Sequence, residues 1–195
     1  MNNPIIALLG NPNVGKTSVF NRITKLNQKV GNYPGITVEK REGSLTANNK
    51  TYKIIDLPGT YTLFPNSLDE EVVFNILVDQ NNKLKPNLIV VVGEPSNLKR
   101  SIILYQQARE LGLPAIFVIN MIDEAKTKGI QIDIAKLELL LKTKVFQTNA
   151  RTGAGIDKLI AAFDAVLPLY IGNFDIPTEY TLAVDEAKKL CSLEN

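Results

Sequence analysis

Short apolar runs alternate along the chain with longer segments whose apolar residues recur at helical spacing. The runs at residues 5–9, 88–92 and 115–119 are rich in branched residues and show no polar alternation, which predicts strands buried on both faces. Segments 69–78 and 133–141 carry apolar residues three and four positions apart, which predicts helices. Strands that alternate with helices of this length predict an α/β fold, with a mainly parallel sheet and helices on both of its faces.

The remaining elements are predicted from weaker patterns. Residues 25–34 are expected to form a polar loop, 37–45 an edge strand, and 51–55 a second strand that follows a hairpin turn. A helix capped near residue 96 and a last helix over about 155–167 complete the pattern. Because ligands of such sheets bind beyond the carboxyl ends of the strands, we expect the chemically important loops to meet at that edge.

The composition limits the classes of function. With 195 residues, 45% of them hydrophobic and 22% charged, the chain fits one ordinary globular domain. A net charge of +2 argues against nucleic acid as a partner, the lack of histidine excludes histidine bases and ligands, and the single cysteine cannot form an internal disulfide. No apolar run approaches the ~20 residues that span a bilayer, and the N-terminus lacks the basic region of a signal peptide, so we expect a soluble chain.

The pattern of strands and helices changes after Pro168. We predict one domain over residues 1–168, whereas 169–195 are too few for an independent core. Residues 180–193 have the pattern of a single helix, so this segment is either a packing appendage or the beginning of a further domain.

A glycine-bounded loop joins the first predicted strand to a helix at residues 10–17, Gly-Asn-Pro-Asn-Val-Gly-Lys-Thr. The spacing G-x-x-x-x-G-K-T between a strand and a helix is typical of a phosphate-binding loop, in which backbone N–H groups and the helix N-terminus face an anion. Lys16 is then expected to reach the β- and γ-phosphates of a nucleotide, and the Thr17 hydroxyl to bind Mg²⁺. The predicted nucleotide-binding residues of this region are Gly10, Asn11, Pro12, Asn13, Val14, Gly15, Lys16, Thr17 and Ser18.

A carboxylate follows the strand 51–55 in the sequence Asp-Leu-Pro-Gly. Asp56 would lie beside Thr17 and hold Mg²⁺ through water, and Gly59 would offer its N–H to the γ-phosphate. Taken alone, D-x-x-G fits equally well a turn that the aspartate caps and Pro-Gly bends. The predicted binding residues here are Asp56, Leu57, Pro58 and Gly59.

A second polar motif, Asn-x-x-Asp, follows the buried strand 115–119. The Asn120 amide can pair with a purine edge, and the Asp123 carboxylate can accept from the N1–H and 2-amino group of guanine, which adenine lacks. The alternative is an Asx turn at a strand end. Farther along, the Ala150 N–H can reach the guanine O6. The predicted base-binding residues are Asn120, Met121, Asp123, Asn149, Ala150 and Arg151.

Thr37 is the candidate sensor of the terminal phosphate. It lies in a polar loop, where its hydroxyl can join the Mg²⁺ shell and its N–H can bind the γ-phosphate. Loss of that phosphate would release this loop together with the loop at 56–67. The predicted binding residues of this loop are Gly35, Ile36 and Thr37.

The sequences and the order of these motifs resemble the cytosolic G domain of FeoB-type ferrous iron transporters over about residues 5–167. Besides the phosphate loop, the resemblance includes Gly-Asn-Tyr-Pro-Gly-Ile-Thr-Val-Glu at 31–39, Asp-Leu-Pro-Gly-Thr-Tyr at 56–61 and Asn-Met-Ile-Asp at 120–123. It implies a P-loop NTPase fold of the Ras-like G-domain type that binds GTP or GDP with Mg²⁺. It also implies a GTP-hydrolysing regulatory switch on the cytoplasmic face of the bacterial inner membrane, in a protein that takes up ferrous iron.

The same resemblance carries further expectations. Residues 169–195 would begin a small helical domain that is cut short here, and the membrane region of the parent transporter would be a partner, through which the chain can also self-associate. Asn13 would be a ligand of an activating K⁺, with backbone carbonyls near Gly31 and Tyr33 completing its cage.

Several positions depart from related GTPases. Met121 stands where lysine is usual, Asn149 where serine is commoner, and Thr60 where Ras-like GTPases place a glutamine. Because no side chain in these loops is an obvious general base, catalysis is expected to rest on charge stabilisation and on water positioned by the backbone. We expect slow intrinsic turnover that is faster in K⁺ than in Na⁺. The candidate catalytic residues are Asn13, Lys16, Thr37 and Gly59.

Two other interpretations remain open. A ribosome- or RNA-associated GTPase of the Era/Der type shares Asn-Pro-Asn-Val-Gly-Lys, but would be expected to carry Asp-Thr-Ala-Gly, Asn-Lys-x-Asp and a basic domain. A nucleotide-dependent binding module that docks partners and hydrolyses almost nothing also fits the sequence. Iron binding by this chain itself is disfavoured, because it has no histidine and a single cysteine.

Overall fold

One seven-stranded sheet organises the chain, with strands in the order β2-β3-β4-β1-β5-β6-β7. The computed structural model describes residues 3–33, 36–47 and 49–166. The strands are β1 (Ile5–Gly10), β2 (Gln28–Asn32), β3 (Glu39–Ala47), β4 (Lys50–Asp56), β5 (Leu88–Gly93), β6 (Ala115–Ile119) and β7 (Val145–Gln147). The helices are α1 (Lys16–Thr24), α2 (Leu68–Val78), α3 (Leu98–Glu110), α4 (Ile122–Thr127), α5 (Ile134–Leu141) and α6 (Ile156–Val166).

The sheet is parallel from β4 to β7 and antiparallel at its other end. Strands β4, β1, β5, β6 and β7 pair in parallel, whereas β3 pairs antiparallel with both β4 and β2. This confirms the predicted α/β fold with a mainly parallel sheet. All loops that follow the parallel strands therefore open at one edge of the sheet.

The hairpin of β2 and β3 differs from the prediction in two respects. Residues 28–32 form strand β2 where a polar loop was expected, and β3 is consequently an inner strand rather than the edge. Four of the five β2 side chains are exposed and the fifth is half-buried, so the segment has no apolar alternation to reveal a strand. Pairing with β3, in which Val30 lies opposite Arg41, holds β2 in place instead.

Helices cover the sheet on both faces, as predicted. Successive residues of β1 alternate between two apolar layers: Ala7 and Leu9 pack with α2, α3 and α5, whereas Ile6 and Leu8 pack with α1 and α6. This two-sided burial explains why the central strands read as unbroken apolar runs.

The ends of the helices match the predictions in part. Ser67 and Asp133 cap α2 and α5 with their side chains, by accepting from the backbone N–H of Glu70 and Lys136. A 3₁₀ turn at Pro95–Asn97 precedes α3, and Asn97 occupies the capping position without a side-chain hydrogen bond. Helix α4 was not predicted, because its six residues are too short for a periodic pattern.

Residues 167–195 lie outside the described part of the chain. The predicted boundary at residue 168, the predicted helix at 180–193 and the assignment of 169–195 to a second domain therefore remain predictions. None of the helices in the described residues has the length and the low charge that crossing a bilayer requires.

Helix α6 is fastened to the β3–β4 hairpin by polar and aromatic contacts. The Tyr52 hydroxyl and the Lys50 ammonium donate to Asp164 at 2.5 and 2.8 Å, and burial together with this hydrogen bond raises the pKa of Tyr52 to about 12. The Tyr52 ring meets the fully buried Phe163 edge to face, with centroids 6.0 Å apart. Tyr52 and Phe163 belong to the apolar layer that α1 and α6 cover, and we call Lys50, Tyr52 and Asp164 the corner of this layer.

We expect Phe163→Ala to lower the free energy of unfolding by about 3–5 kcal/mol, because it removes a fully buried ring and leaves a cavity. The matched control is Phe64→Ala, whose ring is 70% exposed and whose loss should change stability by about 0.5 kcal/mol or less. Urea unfolding followed by circular dichroism measures both variants. Similar losses for the two substitutions would contradict the assignment of Phe163 to the core.

Candidate functional site

Four loops meet at the carboxyl edge of the parallel strands. They follow β1, β4, β6 and β7, and direct hydrogen bonds join them. The Thr60 N–H donates to the Gly10 carbonyl at 3.2 Å, the Asn120 side-chain amide to the Val14 carbonyl at 3.1 Å, and the Ile122 N–H to the Thr148 carbonyl at 3.3 Å. The expectation that these loops share one edge is confirmed.

The loop between β1 and α1 has the conformation of an anion-binding turn. Gly15 has a φ of 77° and Asn13 a φ of 68°, so the chain twice enters the left-handed region. Helix α1 begins at Lys16 without a side-chain cap and without an acidic residue in its first turn. The first N–H groups of the helix are therefore directed out of its N-terminus, where they favour a bound anion.

A buried ion pair joins this loop to the end of β4. Lys16 donates to the Asp56 carboxylate and to the Leu57 carbonyl, and Thr17 donates to the other Asp56 oxygen at 2.8 Å. Lys16 and Asp56 are only 8% and 5% exposed, so each charge depends on the other for compensation. The arrangement also brings one hydroxyl and one carboxylate together, which are the oxygen ligands that Mg²⁺ prefers.

Two adjoining cavities run along the phosphate loop, with volumes of about 330 and about 520 Å³. Both are lined by Lys16, Thr17, Gly59 and Asp69. Gly59 packs closely on Pro12: an added Cβ would lie 3.1 Å from the proline Cα, so a larger residue would require Pro12 to shift. We call these two adjoining cavities the trough.

Asn120 connects the candidate base-binding loops. It is 2% exposed, and its side-chain oxygen accepts from the Thr148 hydroxyl at 3.1 Å and from the Ala150 N–H at 3.0 Å. Its amide reaches the phosphate loop at Val14, which leaves one amide hydrogen available to a ligand. A Cβ on Gly15 would overlap the Asn120 amide and lie 3.0 Å from the Met121 methyl group.

The loop after β7 is folded by its own side chains. The Asn149 oxygen accepts from the Arg151 and Thr152 N–H groups at 3.0 and 3.2 Å, which makes an Asx turn. The Arg151 guanidinium donates to Asp123 at 2.7 Å, and this hydrogen bond lowers the pKa of the Asp123 carboxyl. Arg151 thus favours the ionised form of Asp123.

The predicted switch residues lie on the antiparallel side of the sheet. Thr37 is exposed on the segment between β2 and β3, Ile36 is half-buried and donates to the Tyr33 carbonyl at 3.2 Å, and Gly35 lies outside the described residues. The Tyr33 ring is buried, and burial, followed by the nearby carboxylates of Asp56 and Glu42, raises the pKa of its hydroxyl.

The predicted residues are not all brought together. The phosphate loop, the Asp56–Gly59 segment, Asn120, Met121 and Ala150 form one connected site, whereas Gly31 lies on β2, which β3 and β4 separate from β1. Asn13 is exposed in its loop.

Sequence reasoning missed three contributors. Asp69 was predicted only as a first-turn residue of α2, but it lines both cavities. Thr148 and Arg22 hold the base-binding loops through contacts between residues far apart in sequence, for which the local pattern has no signal.

Comparisons with known proteins agree on one family. Residues 4–163 match the family model described as Ferrous iron transport protein B. An Fe(2+) transporter FeoB of Staphylococcus aureus is 41% identical over 187 residues, which is 95% of this chain. A fusion of Fe(2+) transport protein A with Fe(2+) transporter FeoB from Porphyromonas gingivalis is 40% identical over 168 residues, or 86% of this chain. The chain spans 27% and 19% of these two relatives.

Solved structures show the same likeness. The cytosolic domain of the T. maritima FeoB iron transporter in a GDP form superposes with a TM-score of 0.81 at 36% identity, and the match covers 88% of this chain and 66% of that one. The FeoB G-domain from Methanococcus jannaschii superposes with a TM-score of 0.74 at 36% identity, and 86% of this chain covers 99% of that one. The predicted P-loop NTPase fold is thereby confirmed.

We expect Gly15→Ala to destabilise the protein by about 2–4 kcal/mol. About 1–2 kcal/mol comes from the left-handed backbone, and the rest from the overlap with Asn120. Gly129→Ala is the matched control, because Gly129 has a φ of 66° with no atom within 4 Å of an added Cβ, so it should show the backbone cost alone. Urea midpoints measure the difference, and equal losses would contradict the contact between the two loops.

Proposed function

The chain belongs to the FeoB family of ferrous iron transport proteins, and from this premise we propose that it is the GTP-binding and GTP-hydrolysing regulatory switch of a larger iron transporter. One observation carries the proposal: the Asn120 side chain ties the phosphate loop, the β6 loop and the β7 loop into a single site. The parent protein would span the bacterial inner membrane, with this chain at the cytoplasmic face. Its membrane region would be the partner through which the chain also self-associates.

Guanine would be read by groups on two of these loops. The remaining Asn120 amide hydrogen would face the purine edge, and Asp123 would accept from N1–H and the 2-amino group. The Ala150 N–H, which donates to the Asn120 side chain, would be shared with O6. Arg151 holds Asp123 in its charged form, which is the form that accepts both hydrogen bonds. Met121 would pack its thioether against the base without adding charge.

The phosphates would lie along the trough beside α1. Lys16 would transfer its hydrogen bonds from Asp56 and Leu57 to phosphate oxygens, so that one buried charge pair replaces another. Thr17 and Asp56 fit Mg²⁺, with Thr37 as a further ligand from the switch segment. When bound, the ion would neutralise negative charge that develops on the phosphates.

Hydrolysis would proceed without a side-chain base. The Thr60 hydroxyl, at the position after the D-x-x-G motif, donates to the Thr62 carbonyl at 2.6 Å and contacts Glu70 at 3.1 Å, so it is turned away from the trough. Lys16 and the backbone N–H groups of the phosphate loop, Thr37 and Gly59 would stabilise the transferred phosphoryl group, and turnover should be slow.

Release of the γ-phosphate would free two segments together. The Thr37 segment carries the hydrogen bond from the Tyr33 N–H to the Val38 carbonyl. The 56–67 loop is tied by the Thr60 N–H, which donates to the Gly10 carbonyl, and by Gln107, which contacts the Leu63 N–H and the Thr62 hydroxyl. These few bonds would let both segments respond to the phosphate. The helical domain proposed to begin at 169 would be one recipient of the change.

The engaged Thr60 hydroxyl also favours a second candidate function. Because the Thr60 hydroxyl is engaged elsewhere, a nucleotide-dependent binding module with negligible turnover fits the same site. The Era/Der alternative is disfavoured, because the family match and the Asp-Leu-Pro-Gly sequence both favour FeoB.

We expect Asp123→Asn to lower the affinity for GDP by about a hundredfold or more and to create affinity for XDP. Asparagine can donate to the xanthine O2 that replaces the guanine 2-amino group, whereas aspartate would be repelled by it. Calorimetric titration of both proteins with GDP, XDP and ADP measures the change, and ADP should bind weakly to both. Equal binding of GDP and ADP by the unaltered chain would overturn the proposed guanine site.

We expect phosphate release from GTP to be faster in KCl than in NaCl at the same ionic strength, and Asn13→Ala to abolish the difference. The Asn13 side-chain oxygen is the proposed K⁺ ligand. The Gly31 carbonyl that was expected to join it, together with that of Tyr33, lies on β2, which β3 and β4 separate from β1. Asn81→Ala, in an exposed loop between α2 and β5, is the matched control and should keep the difference. Equal rates in the two salts would remove the K⁺ proposal, and negligible release in both would favour the binding module.

A further inference from the structure

Arg22 reaches from the last turn of α1 to the loop after β7. Its Nε donates to the Ala150 carbonyl at 3.0 Å, and its Nη2 donates to the carbonyl of the next residue, Arg151. One guanidinium thus donates hydrogen bonds to two consecutive peptide carbonyls, which lie 128 and 129 positions away in sequence. Its flank packs on Gly153, where an added Cβ would lie 3.7 Å from the guanidinium carbon.

Ala150 is held from two sides. Its N–H donates to the Asn120 side chain at 3.0 Å, while its carbonyl accepts from Arg22. Ala150 is 6% exposed, so its orientation is set by these protein contacts rather than by solvent. The direction of the Ala150 N–H therefore depends on Arg22 as well as on Asn120.

The helix that carries Arg22 also carries the phosphate-binding side chains. Lys16 and Thr17 form the first turn of α1, and Arg22 lies in its last turn. A nine-residue helix is rigid on the scale of one hydrogen bond, so it fixes the distance between the phosphate loop and the Ala150 loop. Arg22 thus connects the helix that carries the phosphate-binding side chains to the Ala150 loop, in addition to the connection through Asn120.

We propose that Arg22 is a positioning residue for guanine recognition: it fixes the Ala150 peptide so that its N–H, which donates to the Asn120 side chain, is shared with O6 when guanine binds, and it thereby sets how fast a guanine nucleotide dissociates. This inference rests on the proposed function, since it concerns the same base site. Asp123 reads the opposite side of the base and is held by a different arginine, Arg151. The two arginines consequently support two separable contacts, O6 on one side and N1–H with the 2-amino group on the other.

The guanidinium is suited to this role and lysine is not. Two parallel N–H groups in a fixed plane can meet two neighbouring carbonyls at once, whereas an ammonium is a single point on a flexible chain. Arg22→Gln retains one amide donor without charge, and Arg22→Lys retains charge without the fork. Arg100→Gln is the matched control, because Arg100 lies on α3, where its guanidinium packs over the Tyr61 ring, apart from the base loops.

The test compares the affinities for GDP, 6-thio-GDP and IDP in the unaltered chain, Arg22→Gln, Arg22→Lys and Arg100→Gln. Sulfur at position 6 is a weaker acceptor, so 6-thio-GDP reports the Ala150 contact, and IDP lacks the 2-amino group, so it reports the Asp123 contact. We expect Arg22→Gln to weaken GDP binding and to speed GDP dissociation by about threefold to tenfold. We also expect it to remove most of the preference for GDP over 6-thio-GDP while keeping the preference for GDP over IDP.

Arg22→Lys should show the same change in ratio at smaller amplitude, which keeps the test decisive if Arg22→Gln folds poorly, and Arg100→Gln should match the unaltered chain. The positioning role would be overturned if the Arg22 variants kept both the preference for GDP over 6-thio-GDP and the preference for GDP over IDP, or if they lost both to the same degree. Either result would leave the proposed function in place. Equal affinity of the unaltered chain for GDP and ADP would instead overturn the guanine site and this inference with it.

Discussion

A buried ammonium group needs a partner, and this need determines how the phosphate loop meets the sheet. Lys16 and Asp56 are both almost wholly removed from solvent, and either charge left alone there would cost several kcal/mol. The pairing of β1 with β4, in which Leu8 lies opposite Asp56, is what brings the carboxylate to the lysine. The strand order is thus coupled to the electrostatics of one ion pair.

The fold could be predicted for those elements whose burial produces a recognisable pattern of apolar residues in the sequence. The central strands are covered on both faces, so residues such as Ile6 and Ala7 are both apolar and the run is unmistakable. Strand β2 could not be found in this way, because its side chains face solvent and its order comes from pairing with β3. Helix α4 is likewise held by its position after Asn120 rather than by an apolar stripe.

The candidate site was predictable where chemistry requires a fixed local spacing, and not where it depends on distant contacts. The phosphate loop and the Asn120–Asp123 pair follow from spacing after a strand, and the fold places both at one edge. That the Thr60 hydroxyl contacts Glu70 of α2, or that Asp69 lines the trough, depends on packing between separate elements. Arg22 is the extreme case, since its two acceptors lie more than a hundred positions away.

The corner formed by Tyr52, Lys50 and Asp164 has a mechanical consequence. Asp164 lies near the end of α6 and accepts hydrogen bonds from Lys50 and Tyr52 of strand β4. The last residue of the same strand is Asp56. The position of α6 is therefore coupled, through these two hydrogen bonds, to the same strand that ends in the carboxylate beside Thr17.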